Sequence, residues 1–176
     1  MSTNDTVLAL ANGAAGGPRL ADASLAKFSA LVTEVCVELA QAIVRDAEGA
    51  KHFVTIDVEG LRTEAEARQV AKTIAESALV KTAIYGADPN WGRFVSAAGY
   101  AGAEFAAADL SLWLNDRLLY DRGAPVAFDA AVASDQLRSC NTAHLRLKFE
   151  LGTASCRFWT CDLTEEYIKL NADYHT

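Results

Sequence analysis

Lys81-Thr82-Ala83-Ile84-Tyr85-Gly86-Ala87-Asp88-Pro89-Asn90-Trp91-Gly92-Arg93 is the stretch on which the fold turns. Its apolar start predicts a buried strand over residues 79–85. A tight loop on Gly86, Pro89 and Gly92 should follow, because proline fixes one dihedral and glycine opens turns closed to other residues. Asp88 or Asn90 is placed to cap a small-residue helix from Trp91. As an ordinary feature this is a well-packed corner between two elements. A loop carrying Asp, Asn, Trp and Arg together also has the chemistry of a functional loop.

Upstream, Val54, Ile56 and Val58 alternate with Thr55 and Asp57, the pattern of a half-buried strand. Gly60 turns the chain, and Thr63-Glu64-Ala65-Glu66 forms a capping box opening a helix to about Ser77, with Val70, Ala71 and Ile74 inward. With residues 79–85 as a strand, this predicts a strand-helix-strand crossover and a parallel pair. Further upstream, Leu25, Phe28, Leu31, Val32, Val35, Cys36, Leu39, Ala42 and Ile43 recur at helical spacing. That helix should be capped by Asp22 or Ser24 and end by Gly49, with Cys36 as a small core residue. Residues 7–11 are apolar enough for a short strand, and residues 12–19 form a loop.

Downstream of Gly102 the texture changes. Leu110, Leu112 and Leu114 alternate and turn at Asn115-Asp116 into residues 118–120, a hairpin. Asp129 caps a helix to Leu137. Leu145, Leu147 and Phe149 alternate, and Gly152 turns into residues 155–161, a second expected hairpin. Thr164-Glu165-Glu166 starts a closing helix that ends near Asn171. The expectation is a mixed α/β chain in two parts, residues 1–102 and a hairpin-rich 103–176.

Composition narrows the function. Among 176 residues the net charge is −7, with 51% hydrophobic and 22% charged residues. The absence of a basic stripe argues against nucleic acid and against an anionic membrane surface. The four cysteines, Cys36, Cys140, Cys156 and Cys161, show no CxxC spacing, and His52, His144 and His175 are scattered, so no metal site is expected. Cys156 and Cys161 fall on opposite faces of a strand, against a disulfide. Without a signal peptide or a long apolar run, the expected compartment is the cytoplasm. The histidines sit in no triad motif, and there is no phosphate loop or dinucleotide fingerprint.

Four segments in order carry a resemblance: Ser2-Thr3-Asn4-Asp5-Thr6-Val7-Leu8-Ala9-Leu10-Ala11-Asn12-Gly13, then Asp46-Ala47-Glu48-Gly49, then Asp88-Pro89-Asn90-Trp91-Gly92-Arg93, then Thr160-Cys161-Asp162-Leu163-Thr164 with the tail Asn171-Ala172-Asp173-Tyr174-His175-Thr176. Together they resemble the ornithine acetyltransferase family, over nearly the whole chain. The resemblance implies a layered, N-terminal-nucleophile-like α/β fold made by self-cleavage into α and β chains, two of each in the assembly. It implies acyl transfer from N-acetylornithine to glutamate in arginine biosynthesis through an acetyl-threonine. Acetyl-CoA is a possible second donor, and no bound cofactor is implied. It assigns substrate contacts to Glu48, Asn171 and Thr176.

In the family the nucleophilic threonine lies upstream of the Ser-Thr-Asn-Asp segment, so no catalytic nucleophile is expected within these residues. The chain resembles the later part of a β chain that works with an α chain. The rival expectations are a non-catalytic fragment and a related self-cleaving aminopeptidase. Ser2 as an N-terminal nucleophile is the minor possibility. Glu59 matches no family position and is expected to be a strand-end charge.

Overall fold

The computed structural model describes residues 6–14 and 16–173. The chain forms two compact units divided between Ala47 and Glu48. The first contains α1 (Asp22–Arg45). Its N-cap is Ala21, which has no polar side chain. The cap expected from Asp22 or Ser24 is thus corrected: both lie inside the helix, where the Ser24 hydroxyl accepts from the Ala21 N–H at 3.1 Å and donates to the Ala21 carbonyl at 2.6 Å. Asp46, not Gly49, is its C-cap. The helix forms where its periodicity predicts, but Leu25, Phe28, Val35 and Leu39 of its apolar stripe are exposed, as is Cys36. The core role expected for Cys36 is therefore corrected. Periodicity fixes which residues share a face and is silent on what covers it. Residues 7–11 are not a strand: they lie exposed and without regular structure, since no neighbouring strand accepts their backbone.

The second unit is built on a six-stranded sheet in the order β4-β3-β2-β5-β1-β6. These strands are β1 (Phe53–Leu61), β2 (Leu110–Leu114), β3 (Arg117–Asp121), β4 (Ala124–Pro125), β5 (Thr142–Phe149) and β6 (Ala154–Cys161). The sheet takes β1 from before Gly102 and its other strands from after it. Val54, Ile56 and Val58 of β1 are fully buried on one face, together with Leu145 and Leu147 of β5 and Leu110 and Leu112 of β2. Against that face pack α2 (Glu64–Glu76), through Ala67, Val70, Ala71 and Ile74, and α4 (Trp91–Gly99), through Phe94 and Ala98. Burying this many branched and aromatic side chains is the main stabilising term of the unit.

Caps and turns agree with the sequence. Thr63 caps α2 by accepting from the Glu66 N–H at 3.2 Å. Glu66 reaches instead to the Arg62 N–H, at 3.2 Å, so the expected box is half formed. Asn115 and Asp116 sit at φ 47° and 65°, the left-handed pair that closes the β2–β3 hairpin. Asp129 caps α5 (Ala130–Ser139) by accepting from Val132 N–H at 3.1 Å.

Two further expectations are overturned. Residues 79–85 are not a strand but belong to α3 (Ala78–Tyr85). Ser77 caps it through the Val80 N–H, and Val80, Ala83 and Ile84 are buried at i, i+3 and i+4. A short apolar run fits either period, and here the cap and the burial spacing select the helix. The parallel partner of β1 is consequently β5, with Phe53 opposite Thr142. Nor do β5 and β6 form a hairpin: β1 lies between them, parallel to β5 and antiparallel to β6.

Glycine makes that crossing possible. Leu151 and Gly152 donate to the Gly60 carbonyl at 2.9 and 2.8 Å, so the β5–β6 connection folds over the end of β1. Gly60 sits at φ +80°, where a Cβ would collide with the Phe149 carbonyl oxygen. A Cβ on Gly152 would lie 2.5 Å from the Leu61 carbonyl oxygen.

Candidate functional site

Two of the residues expected at the site, Glu48 and Asn171, belong to segments that meet where β1 begins and β6 ends. Glu48 opens the second unit and is exposed, with half-buried Gly49 after it. The next residues, up to His52, lead into β1. Opposite them, the residues after β6 lead into α6 (Glu165–Asp173), which carries Asn171. Thr164 joins the two. Its hydroxyl donates to the Gly49 carbonyl at 2.6 Å and accepts from the Tyr167 N–H at 3.0 Å, capping α6. One turn on, the Asn171 amide donates to the Tyr167 carbonyl at 2.8 Å. Gly49 is at φ +72°, and a Cβ there would lie 2.6 Å from the Tyr167 backbone nitrogen. The glycine after Glu48 thus lets the first turn of α6 seat directly on this segment. Thr176, with Tyr174 and His175, lies outside the described residues.

Beneath this seam is a buried charge pair. His52 Nδ1 is 2.6 Å from Asp162 Oδ2, and the two side chains are 8% and 0% exposed. His52 Nε2 is 3.0 Å from the Leu137 carbonyl at the end of α5. Each ring nitrogen faces an acceptor, so the arrangement is fully satisfied only by the imidazolium. The hydrogen bond to Asp162 is the largest influence and holds the imidazole above its usual pKa despite burial. Burial pushes the Asp162 carboxyl up, but hydrogen bonds from His52 and from the Lys51 and His52 backbone outweigh it and leave it below the usual value. The other Asp162 oxygen accepts from the Lys51 N–H at 2.9 Å. The Lys51 ammonium lies 4.9 Å from the centre of the Tyr85 ring.

The loop 86–90 is a rigid corner. Asn90 caps α4 by accepting from the Arg93 N–H at 3.2 Å and donates to Asp88 at 3.0 Å. Ser134 of α5 donates to the Ala87 carbonyl at 2.6 Å, and Trp91 stacks on Tyr120 at 5.4 Å. Arg93 reaches back to α3, donating to the Leu79 carbonyl at 3.3 Å.

A second cluster lies on the other sheet face. Arg157 of β6 holds Asp57 of β1 with two bonds of 2.6 and 2.8 Å, and His144 of β5 is 2.8 Å from the same carboxylate. Glu59 pairs with Arg146 at 3.4 Å, as befits a strand-end charge. Sequence reasoning missed both His–Asp pairs. Their members are far apart in the chain and meet only through the β1–β5 and β1–β6 registers. Asp162 stood within a recognised segment, but nothing local pointed it at His52.

The cysteines are free, and burial pushes the Cys156 thiol up, away from nucleophilic behaviour. Among the described residues no cluster fit to hold a metal ion occurs, and no helix is long and apolar enough to cross a membrane.

The arrangement has solved counterparts. The crystal structure of the arginine biosynthesis bifunctional protein argJ from Bacillus halodurans matches at a TM-score of 0.90 and 35% identity, covering 99% of this chain and 83% of that one. This defines the class, a mixed α/β protein with the argJ fold. Among curated proteins, the arginine biosynthesis bifunctional protein ArgJ of Gloeobacter violaceus is 46% identical over 99% of this chain and 44% of its own length. ArgJ 1 of a Nostoc strain is 44% identical over 99% of this chain and 45% of its own. The chain spans about half the length of the curated relatives it matches. The ArgJ family matches residues 1–176, and the chain belongs to that family, the ornithine acetyltransferases.

Proposed function

We propose that this chain is the substrate-binding portion of a glutamate N-acetyltransferase of arginine biosynthesis. It works with an α chain, two of each chain in the assembly, in the cytoplasm. The observation that carries the reading is the seam joining Gly49 to α6 through Thr164. It seats Gly49, the residue after Glu48, on the first turn of the helix that bears Asn171, in a chain 46% identical to an ArgJ protein, and this supports the reading.

In this reading the threonine nucleophile comes from a segment other than these residues. Its hydroxyl, with its own α-amine as base, attacks the acetyl carbonyl of N-acetylornithine. The C–N bond breaks, ornithine leaves with the proton, and an acetyl ester remains. The amine of glutamate then attacks the ester and regenerates the hydroxyl. The α chain stabilises the oxyanion in both steps. Acetyl-CoA can load the same ester by losing its thiol. This chain orients the amino-acid ends. The Glu48 carboxylate takes the substrate ammonium, and Asn171 with Thr176 at the tail takes the remaining polar groups.

The test is to produce this chain with the nucleophile-bearing piece of the Gloeobacter relative and follow ornithine release from N-acetylornithine and glutamate. The chain alone should release none. In the assembled enzyme, Glu48→Gln or removal of residues 171–176 should raise KM about 10- to 150-fold, the worth of a hydrogen bond to a charged group. Unchanged KM for both substrates in both variants would remove the site assignment.

A further inference from the structure

The seam that holds the site together is charged at its root. Four hydrogen bonds stitch the residues after Glu48 to the residues before α6. Besides Thr164 to the Gly49 carbonyl, the Lys51 N–H donates to one Asp162 oxygen, the His52 ring meets the other, and the Asp162 N–H donates to the His52 carbonyl at 3.4 Å. Asp162 therefore ties the residues after Glu48 to the residues before α6 and, by way of His52 and the Leu137 carbonyl, to the end of α5. Nothing in a sheet edge requires a fully buried carboxylate, and a buried ion pair is poor evidence for stability alone.

We infer that His52 and Asp162 are positioning residues for the substrate site: their ion pair sets the distance between Glu48 and Asn171, so substrate affinity follows the charge state of His52. This rests on the proposed roles of Glu48 and Asn171.

The chemistry is specific about direction. Below its pKa the imidazolium donates from Nδ1 to Asp162 and from Nε2 to the Leu137 carbonyl. When it loses a proton, one ring nitrogen must present a lone pair to an oxygen, and one of the two tethers is lost. The groups acting on the ring are Asp162 from the turn after β6, the Leu137 carbonyl from α5, and Lys51 beside it, whose positive charge opposes protonation. The raised pKa of His52 places the loss on the alkaline side of neutral histidine behaviour, and Asp162 stays ionised throughout that range.

The experiment uses the assembled enzyme described above. KM for glutamate should rise through an alkaline limb that shares its midpoint with the His52 ring, separately from the change in kcat as the threonine α-amine titrates. In His52→Gln, KM should be raised about tenfold at all pH values and the limb should vanish. Asp162→Asn should do the same. A purely structural role would lower the yield of folded enzyme and leave KM and its pH limb unchanged. That result would overturn the inference.

If the variants do not fold, the wild-type chain decides. Nuclear magnetic resonance should show the His52 ring, the Glu48 amide and the Asn171 side-chain amide titrating with one midpoint. Independent midpoints, or no response at Glu48 and Asn171, would also overturn it. Shared midpoints together with a Glu48→Gln enzyme of normal KM would instead show the substrate assignment, not the coupling, to be at fault.

Discussion

The molecule contains two His–Asp pairs that differ in almost everything except residue type. His52 and Asp162 lie where β1 begins and β6 ends, nearly out of contact with water, with both ring nitrogens and both carboxylate oxygens hydrogen-bonded. His144 and Asp57 lie on the sheet face away from the helices, where the His144 ring is 37% exposed and Arg157, also on Asp57, is 60% exposed. The first pair has no alternative partner when broken. The second has water. Charge chemistry alone therefore says little about what a pair does, and the number of elements it ties and its access to solvent say most.

The sharpest way to break the contrast is to remove one member of each pair. His52→Ala leaves a buried carboxylate facing no cation and should cost about 3–5 kcal/mol of unfolding free energy by urea titration. Asp57→Asn leaves Arg157 free to turn to solvent and should cost about 1 kcal/mol. Equal losses would show that solvent access is not what separates the pairs.

The pH dependence sharpens it further. The folded-state pKa of His52 is raised, so its contribution is complete below about 6.5 and is lost as pH rises through the folded value. Asp162 and Asp57 are lowered, so theirs are complete above about 3.9 and are lost as pH falls through their folded values. Stability of the His52→Ala protein measured from pH 5 to 9 should lack the alkaline decline of the wild type, and Asp57→Asn should retain it. At the small end, Arg138→Ala breaks an exposed pair with Asp135 and should change stability by less than about 0.5 kcal/mol.

The same contrast explains what was legible in the sequence. Features whose cause is local were readable: the Thr63 and Asp129 caps, the Asn115-Asp116 turn, the alternation of β1, and the motif segments that led to the family. Features whose cause is a distant partner were not. Residues 79–85 were misread because a seven-residue apolar run satisfies both periods, and the deciding cap at Ser77 lies just before it. The β5–β6 hairpin was misread because the strand between them comes from far upstream. His52 and Asp162 escaped for the same reason: each is unremarkable until the β1–β6 register sets them side by side.

The placement of β1 has a consequence for how the chain reaches its native state. Phe53 must pair with Thr142 on one side and Cys161 on the other. Of the described strands, β1 therefore waits for the two made last, β5 and β6. Until those two are made its hydrogen-bonding edges toward them are open, while α2 already packs on it. A chain dominated by such distant pairings folds slowly and spends time in forms prone to self-association. Refolding should accordingly be concentration-sensitive, and substitutions in β5 or β6 that weaken the grip on β1 should reduce the yield of folded protein before they reduce the melting temperature of what has folded.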